Sequence, residues 1–175
     1  MSFLTVRGVA GSNSVTLRGV VPVPGDKSIS HRALMLAALA EGSSRIDGVL
    51  SLGDCQATIM CLCDLGATIE VIDDGASASL LVHGRGLRGL QPPQKPLDCS
   101  RSGTTMRLLA GLLAGQSFDS VLTGKPQLLR RPMRRVTDPL RQMGAAISDT
   151  DGHGPLYIQG RGSLHGSTHD LAVAS

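Results

Sequence analysis

Two short signatures recur in this chain at nearly the same spacing. Leu65-Gly66-Ala67 returns as Met143-Gly144-Ala145, 78 residues later (144 − 66), and Gly84-Arg85-Gly86 returns as Gly160-Arg161-Gly162, 76 later (160 − 84). Between them the same order of elements can be read twice. Each copy opens on a polar loop rich in Ser, Gly and basic residues, Pro24 to Arg32 and Cys99 to Arg107. An apolar helix follows and stops at Gly42 or Gly115, and a short extended segment comes next, Ser44 to Val49 or Phe118 to Leu122. A second helix then runs over Cys55 to Leu65 or Pro132 to Met143, with Gly66 and Gly144 as C-caps. A hairpin closes each copy, turning at Asp73-Asp74-Gly75 and at Asp149 to Gly152. The predicted fold is therefore α/β (α+β), with βαβαββ-like units of about 75 residues stacked at least twice and joined by a Pro-rich linker at 87–97. A third copy begins at Ser163 and stops at Ser175, which reads as an incomplete domain.

Composition narrows the function classes. Among 175 residues only Phe3, Phe118 and Tyr157 are aromatic, so base-stacking nucleic-acid modules lack their usual platform. The longest apolar run, Ala33 to Ala40, ends at Glu41, far short of a membrane span. No long apolar stretch occurs in Met1 to Arg7, so a cytoplasmic protein is expected. Cys55, Cys61, Cys63 and Cys99 form no C-x-x-C pair and read as small buried hydrophobes. His165 and His169 have i, i+4 spacing but lie among Gly, Ser and Thr, poor material for a metal-binding helix.

Charge is unevenly divided. From Cys99 to Arg135 stand seven basic residues and one acid, Asp119, giving +6, whereas the other 10 basic and 13 acidic residues leave −3. Such a concentration suits a local anionic partner. Both opening loops feed helix starts, where free N–H groups and the positive dipole end favour phosphate or carboxylate. In the first, Lys27 offers a mobile point charge and Arg32 a planar fork, while Ser28 or Ser30 can serve as ligand or as N-cap. In the second, Gly103 permits close approach of backbone to ligand. Arg130 and Arg131 precede a helix expected to start at Pro132, one facing a pocket and the other water. The Gly-x4-Gly-Lys-Ser spacing of a Walker A loop is absent.

Three stretches, Pro24-Gly-Asp-Lys-Ser-Ile-Ser-His-Arg-Ala-Leu34, Gly103-Thr-Thr-Met-Arg107, and Leu122-Thr-Gly-Lys-Pro126 with Arg131-Pro-Met133, resemble the 5-enolpyruvylshikimate-3-phosphate synthase family in order and spacing. The resemblance implies a two-domain enzyme of the shikimate pathway, which serves aromatic amino acid biosynthesis. Each domain would hold three βαβαββ units packed around buried helices and close on substrate in the cleft. The implied reaction moves the carboxyvinyl group of phosphoenolpyruvate to the 5-hydroxyl of shikimate 3-phosphate through a tetrahedral intermediate, releasing phosphate without a metal or other cofactor. By motif match Lys27 would contact both substrates. Ser28, Arg32 and Ser175 would hold shikimate 3-phosphate, and Gly103 and Arg131 phosphoenolpyruvate. The family loop usually reads Gly-Asn-x-Gly-Thr, and Ser100-Arg101-Ser102-Gly103-Thr104 stands there instead. Arg101 brings bulk and charge beside the site, and Arg101 and Thr104 are its candidate neighbours.

The same resemblance assigns residues 1–21 to a hinge and N-terminal strand belonging to the opposite domain. It assigns 22–175 to an incomplete substrate-binding domain, with unit one at 22–93, unit two at 94–162 and the start of unit three at 163–175. The acid/base carboxylates would lie in the opposite domain, so the chain alone is expected to be inactive as a transferase. Two other readings stand beside this one: half of a split enzyme working with a separate C-terminal half in trans, and a free-standing anion-binding module. Nucleic acid and membrane are not expected partners.

Overall fold

The computed structural model describes residues 18–21, 23–50, 53–73 and 78–170, so most of the expected hinge segment 1–21, and Ser175, lie outside the described residues. The first half of the chain folds as α1 (Lys27–Leu39), β1 (Glu41–Val49), α2 (Asp54–Asp64), β2 (Thr68–Asp73) and β3 (Ala78–Arg85). The second folds as β4 (Leu97–Asp98), α3 (Gly103–Ala114), β5 (Ser120–Thr123), α4 (Pro126–Leu129), α5 (Arg134–Gln142), β6 (Ala146–Thr150) and β7 (His153–Gln159). The sheets are ordered β1-β3-β2 and β4-β5-β7-β6, so β5, β7 and β6 repeat the arrangement of β1, β3 and β2. Strand β4 lies parallel to β5, and every other pairing is antiparallel.

The recurring glycines have a common physical cause. Gly66 and Gly144 adopt φ of 88° and 91°, a left-handed conformation that closes α2 and α5. The amide of Gly66 donates to Cys63 O and that of Ala67 to Leu62 O, while Gly144 donates to Arg141 O and Ala145 to Leu140 O. Gly84 passes so close to the end of α1 that an added Cβ would stand 2.1 Å from Ala40 O, and at Gly160 it would stand 2.1 Å from Phe118 N. Gly86 then donates to Ala40 O and Gly162 to Gln116 O, both at 2.9 Å. The repeat in sequence is a repeat of the junction where the last strand meets the end of the first helix.

Helices α1, α2 and α3 pack against one another and against the inner faces of both sheets. Along β7, Gly154, Leu156 and Ile158 are buried and alternate with more exposed Pro155, Tyr157 and Gln159, the period of a sheet covered on one side. One continuous core includes Leu34, Leu62, Leu65 and Leu80 from the first half and Met106, Leu109, Leu113 and Leu156 from the second. Burying each such leucine contributes about 2 kcal/mol.

Several local expectations are corrected. Neither Ser28 nor Ser30 caps α1: the Asp26 carboxylate does so, accepting from Ile29 N at 2.8 Å. Ser30 is buried one turn inside, donating to Asp26 O and accepting from Leu50 N, which frees Ser28 on the surface. Strand β1 begins at Glu41, three residues earlier than expected, and α5 begins at Arg134, because Pro132 and Met133 shape the preceding turn. The linker ends in β4 at Leu97, where backbone pairing with β5 overrides its loop-like composition. Cys55, Cys61 and Cys99 are buried, but Cys63 is exposed on α2.

Candidate functional site

The first cationic group sits on the opening turns of α1. Lys27 is its first residue, and Nζ lies 3.1 Å from Asp54 Oδ2 at the start of α2, with both side chains partly exposed. Arg32 is exposed one turn later and donates from Nη1 to Ser28 O at 3.0 Å. Lys27, Ser28 and Arg32 thus occupy two consecutive exposed turns at a positive helix end.

The second group gathers at the start of α3. Ser102 caps the helix, its Oγ accepting from Thr105 N at 3.1 Å, and Gly103 is the first helical residue. Two guanidinium groups converge there. A Cβ added to Gly103 would stand 2.7 Å from Arg107 Nη1 and 3.0 Å from Arg131 Nη1. Arg131 is therefore the member of the Arg130–Arg131 pair that reaches the helix start, while Arg130 turns back onto Pro126 O. The loop carrying Arg131 is fastened to this place by Lys125 N donating to Ser100 O and by Cys99 N donating to Thr123 O, both at 2.8 Å. Arg101 is exposed and makes no hydrogen bond or ion pair among the described residues, whereas Thr104 is half-buried.

Arg107 closes the Gly103–Arg107 motif without an assigned role there, and its place one turn after Gly103 puts it on the same helix face. Its Nη2 donates to Pro132 O, and its buried Nε has no partner among the described residues. Burial, then the nearby charges of Arg135 and Arg131, hold its guanidinium below the ordinary arginine value. Arg107 is half-buried and Arg131 exposed, and such neighbouring like charges repel unless an anion lies between them. This arrangement can hold a group bearing two negative charges.

Asp54 links the two groups. Its carboxylate meets Lys27, and its carbonyl lies 3.4 Å from Thr105 Oγ1 on α3. Beneath it a buried polar chain runs between the helices: His31 Nδ1 to Thr58 Oγ1 at 2.6 Å, Thr58 Oγ1 to Thr105 Oγ1 at 2.8 Å, and Thr105 Oγ1 to Ser102 Oγ at 2.8 Å. Burial, opposed by Asp54 and reinforced by Lys27 and Arg32, keeps the His31 imidazole below its ordinary value. His31 and Asp54 were missed as site residues. His31 lies four residues after Lys27, which places it on the same helix face.

No group of three or more His, Cys, Asp or Glu side chains stands ready for a metal ion among the described residues. His169 Nδ1 instead meets Gln142 Oε1, and the His165 ring lies against Gly144. No described helix is long and apolar enough to cross a membrane.

Comparison with known proteins agrees with the residue pattern. Residues 12–175 match the family model described as EPSP synthase (3-phosphoshikimate 1-carboxyvinyltransferase). The chain is 54% identical over 160 residues to the 3-phosphoshikimate 1-carboxyvinyltransferase of Xanthomonas campestris pv. campestris, covering 91% of this chain and 36% of that protein. It is 51% identical to the protein of the same name from Herpetosiphon aurantiacus, covering 94% of this chain and 37% of the relative. Its fold resembles a solved structure of EPSP synthase from Acinetobacter baumannii with a TM-score of 0.84 and 44% identity, over 90% of this chain and 35% of that one. The chain thus spans about 36% of the length of the curated relative from Xanthomonas.

Proposed function

Because the chain belongs to the EPSP synthase family, we propose that its two helix starts form the substrate-holding part of an enolpyruvyl transferase. The reaction is transfer of the carboxyvinyl group of phosphoenolpyruvate to the 5-hydroxyl of shikimate 3-phosphate, with release of phosphate. Lys27, Ser28 and Arg32 hold shikimate 3-phosphate, joined by Ser175, which lies outside the described residues. Gly103 and Arg131 hold phosphoenolpyruvate, with Lys27 shared and Arg101 and Thr104 at the rim. The units at 22–93 and 94–162 and the start of a third at 163–175 make up part of the substrate-binding domain, and 1–21 is the hinge and strand that belong to the opposite one. A cytoplasmic setting goes with this function and with three buried free thiols.

The observation that carries the reading is the convergence of Arg107 and Arg131 on Gly103 at the start of α3. A phosphate placed there meets backbone N–H groups, the helix dipole and two guanidinium forks together. Charge held in place before reaction is where a transfer between two anions gains most. Since the chain spans about 36% of a whole relative, the reading assigns it ligand binding, with the remaining transfer machinery supplied by the rest of the enzyme.

Calorimetric titration of the chain tests this. Phosphoenolpyruvate and shikimate 3-phosphate should each bind saturably and weaken as salt rises. Lys27→Met should weaken both ligands, and Arg131→Met phosphoenolpyruvate more than shikimate 3-phosphate. Absence of saturable binding, or binding indifferent to both substitutions, overturns the proposal. Supplying the remainder of a relative in trans should produce phosphate release that the chain alone does not give.

A further inference from the structure

Four polar side chains are fully buried in a row between three helices: His31 on α1, Thr58 on α2, Thr105 on α3 and Ser102 at the α3 cap. Polar groups in such a place cost stability unless they are paired or used. Apolar residues of the same size would pack this core without that cost.

The order of donation along the row can be worked out. Ser102 Oγ accepts from Thr105 N and from Thr105 Oγ1. Thr105 has one hydroxyl proton and two acceptors in reach, Ser102 Oγ at 2.8 Å and the Asp54 carbonyl at 3.4 Å; the shorter contact takes it, and Thr58 must then donate to Thr105. Thr58 has then spent its own proton and can only accept from His31, so His31 carries its proton on Nδ1. The buried Nε2 is left without a partner, as a bare acceptor rather than a stranded donor. At the far end, the proton of the Ser102 hydroxyl is claimed by no group among the described residues. It belongs to the residue immediately before Gly103, on which Arg107 and Arg131 converge.

We propose that Ser102 is a further hydroxyl donor to the anion held at Gly103, its proton turned outward by a buried relay that starts at the Nδ1–H of His31. His31, Thr58 and Thr105 act through Ser102 as positioning residues. The relay ties α1, which carries Lys27, to the α3 cap, so the two cationic groups share one hydrogen-bonded frame. The ligand is a phosphate monoester or inorganic phosphate. The inference rests on the anion site proposed above and adds a neutral donor to its cations.

The test uses the full chain with inorganic phosphate as probe, together with the ¹⁵N imidazole signals of His31. Glycine is tolerated at helix caps, so Ser102→Gly removes the hydroxyl with little harm to α3. Ser102→Gly and Thr105→Val should each weaken phosphate binding about tenfold. His31→Leu should do the same, and His31→Asn, whose amide N–H stands where Nδ1–H was, should restore binding to within about twofold of the parent. The imidazole signals should report the Nδ1–H tautomer. An Nε2–H tautomer, or Ser102→Gly and Thr105→Val variants that bind like a phosphate-binding parent, overturns the relay. A parent that binds no phosphate overturns the anion site itself, and the Ser102 ligand role with it.

Discussion

Gly103 and Arg107 stand one turn apart on α3, and the guanidinium folds back so far that a Cβ on Gly103 would lie 2.7 Å from Arg107 Nη1. Arg131 Nη1 would lie 3.0 Å from the same methyl. Both are the ends of flexible side chains, so a methyl moves them without breaking the backbone. Gly103→Ala is therefore expected to leave thermal stability within about 1 kcal/mol, since alanine is the better helix former. It should weaken phosphoenolpyruvate binding by about tenfold or more as the two forks are displaced. Calorimetry and a melting curve on one sample measure both. Unchanged affinity would show that the forks do not meet the ligand at this point.

The Lys27–Asp54 pair makes a second prediction. At 3.1 Å and with half of the Lys27 side chain exposed, the pair is a weak one. Asp54 nonetheless competes with any anion for the Lys27 ammonium. Asp54→Asn keeps the backbone carbonyl near Thr105 and removes the competitor. Affinity for shikimate 3-phosphate should rise by up to about fivefold at low salt, and the gain should shrink as salt rises. A fall in affinity would mean that Asp54 orients Lys27 rather than restraining it.

His31 predicts how stability changes with pH. Its imidazole is held below the ordinary value chiefly by burial, so the unfolded chain binds the proton more readily than the folded one. The neutral ring's contribution is complete above the ordinary imidazole value of about 6.5 and is lost as pH falls from there toward the lowered folded value. Urea unfolding at a series of pH values should show the parent losing stability below about pH 6.5 more steeply than His31→Asn, which has no such group. Parallel curves for the two proteins would contradict a buried neutral His31.

The parts of this molecule legible in the sequence are those where a backbone conformation admits one residue type. Gly66 and Gly144 need a left-handed φ, and Gly84 and Gly160 pass against backbone atoms, so the repeat register stands out in the letters. Strand β4 was hidden because two residues carry no period and their pairing with β5 is a tertiary event. The α1 cap was misread because Asp26, Ser28 and Ser30 are all good capping residues and the backbone turn decides among them. Lys27, Ser28, Arg32, Gly103 and Arg131 stand in motifs that name them as candidates from the letters alone. Arg107 and His31 needed the three-dimensional fact that two helix starts face one core. Their signals, i+4 from Gly103 and i+4 from Lys27, recur along any helix and mean something only once the neighbouring helix is known.

Asp149 supplies the prediction that separates fold from site. Burial works to raise its carboxyl, but hydrogen bonds from Arg141, the Gly152 amide and Thr137 outweigh this and hold it below the ordinary value. Arg141 Nη2 lies 2.7 Å from Oδ2, and Thr137 Oγ1 3.1 Å, so α5 is tied to the β6–β7 hairpin. Asp149→Asn removes the charge that Arg141 depends on and should destabilise the chain by about 2 kcal/mol. The parent's contribution from Asp149 is present above the ordinary carboxylate range and fades as pH falls toward the lowered value, so the gap between parent and Asp149→Asn should close in acid. None of these residues is among the cations that gather at Gly103, so the variant, while folded, should bind phosphoenolpyruvate as the parent does. A loss of affinity beyond about threefold in folded Asp149→Asn would show that the α5 region positions Arg131 and that stability and binding are not separable here.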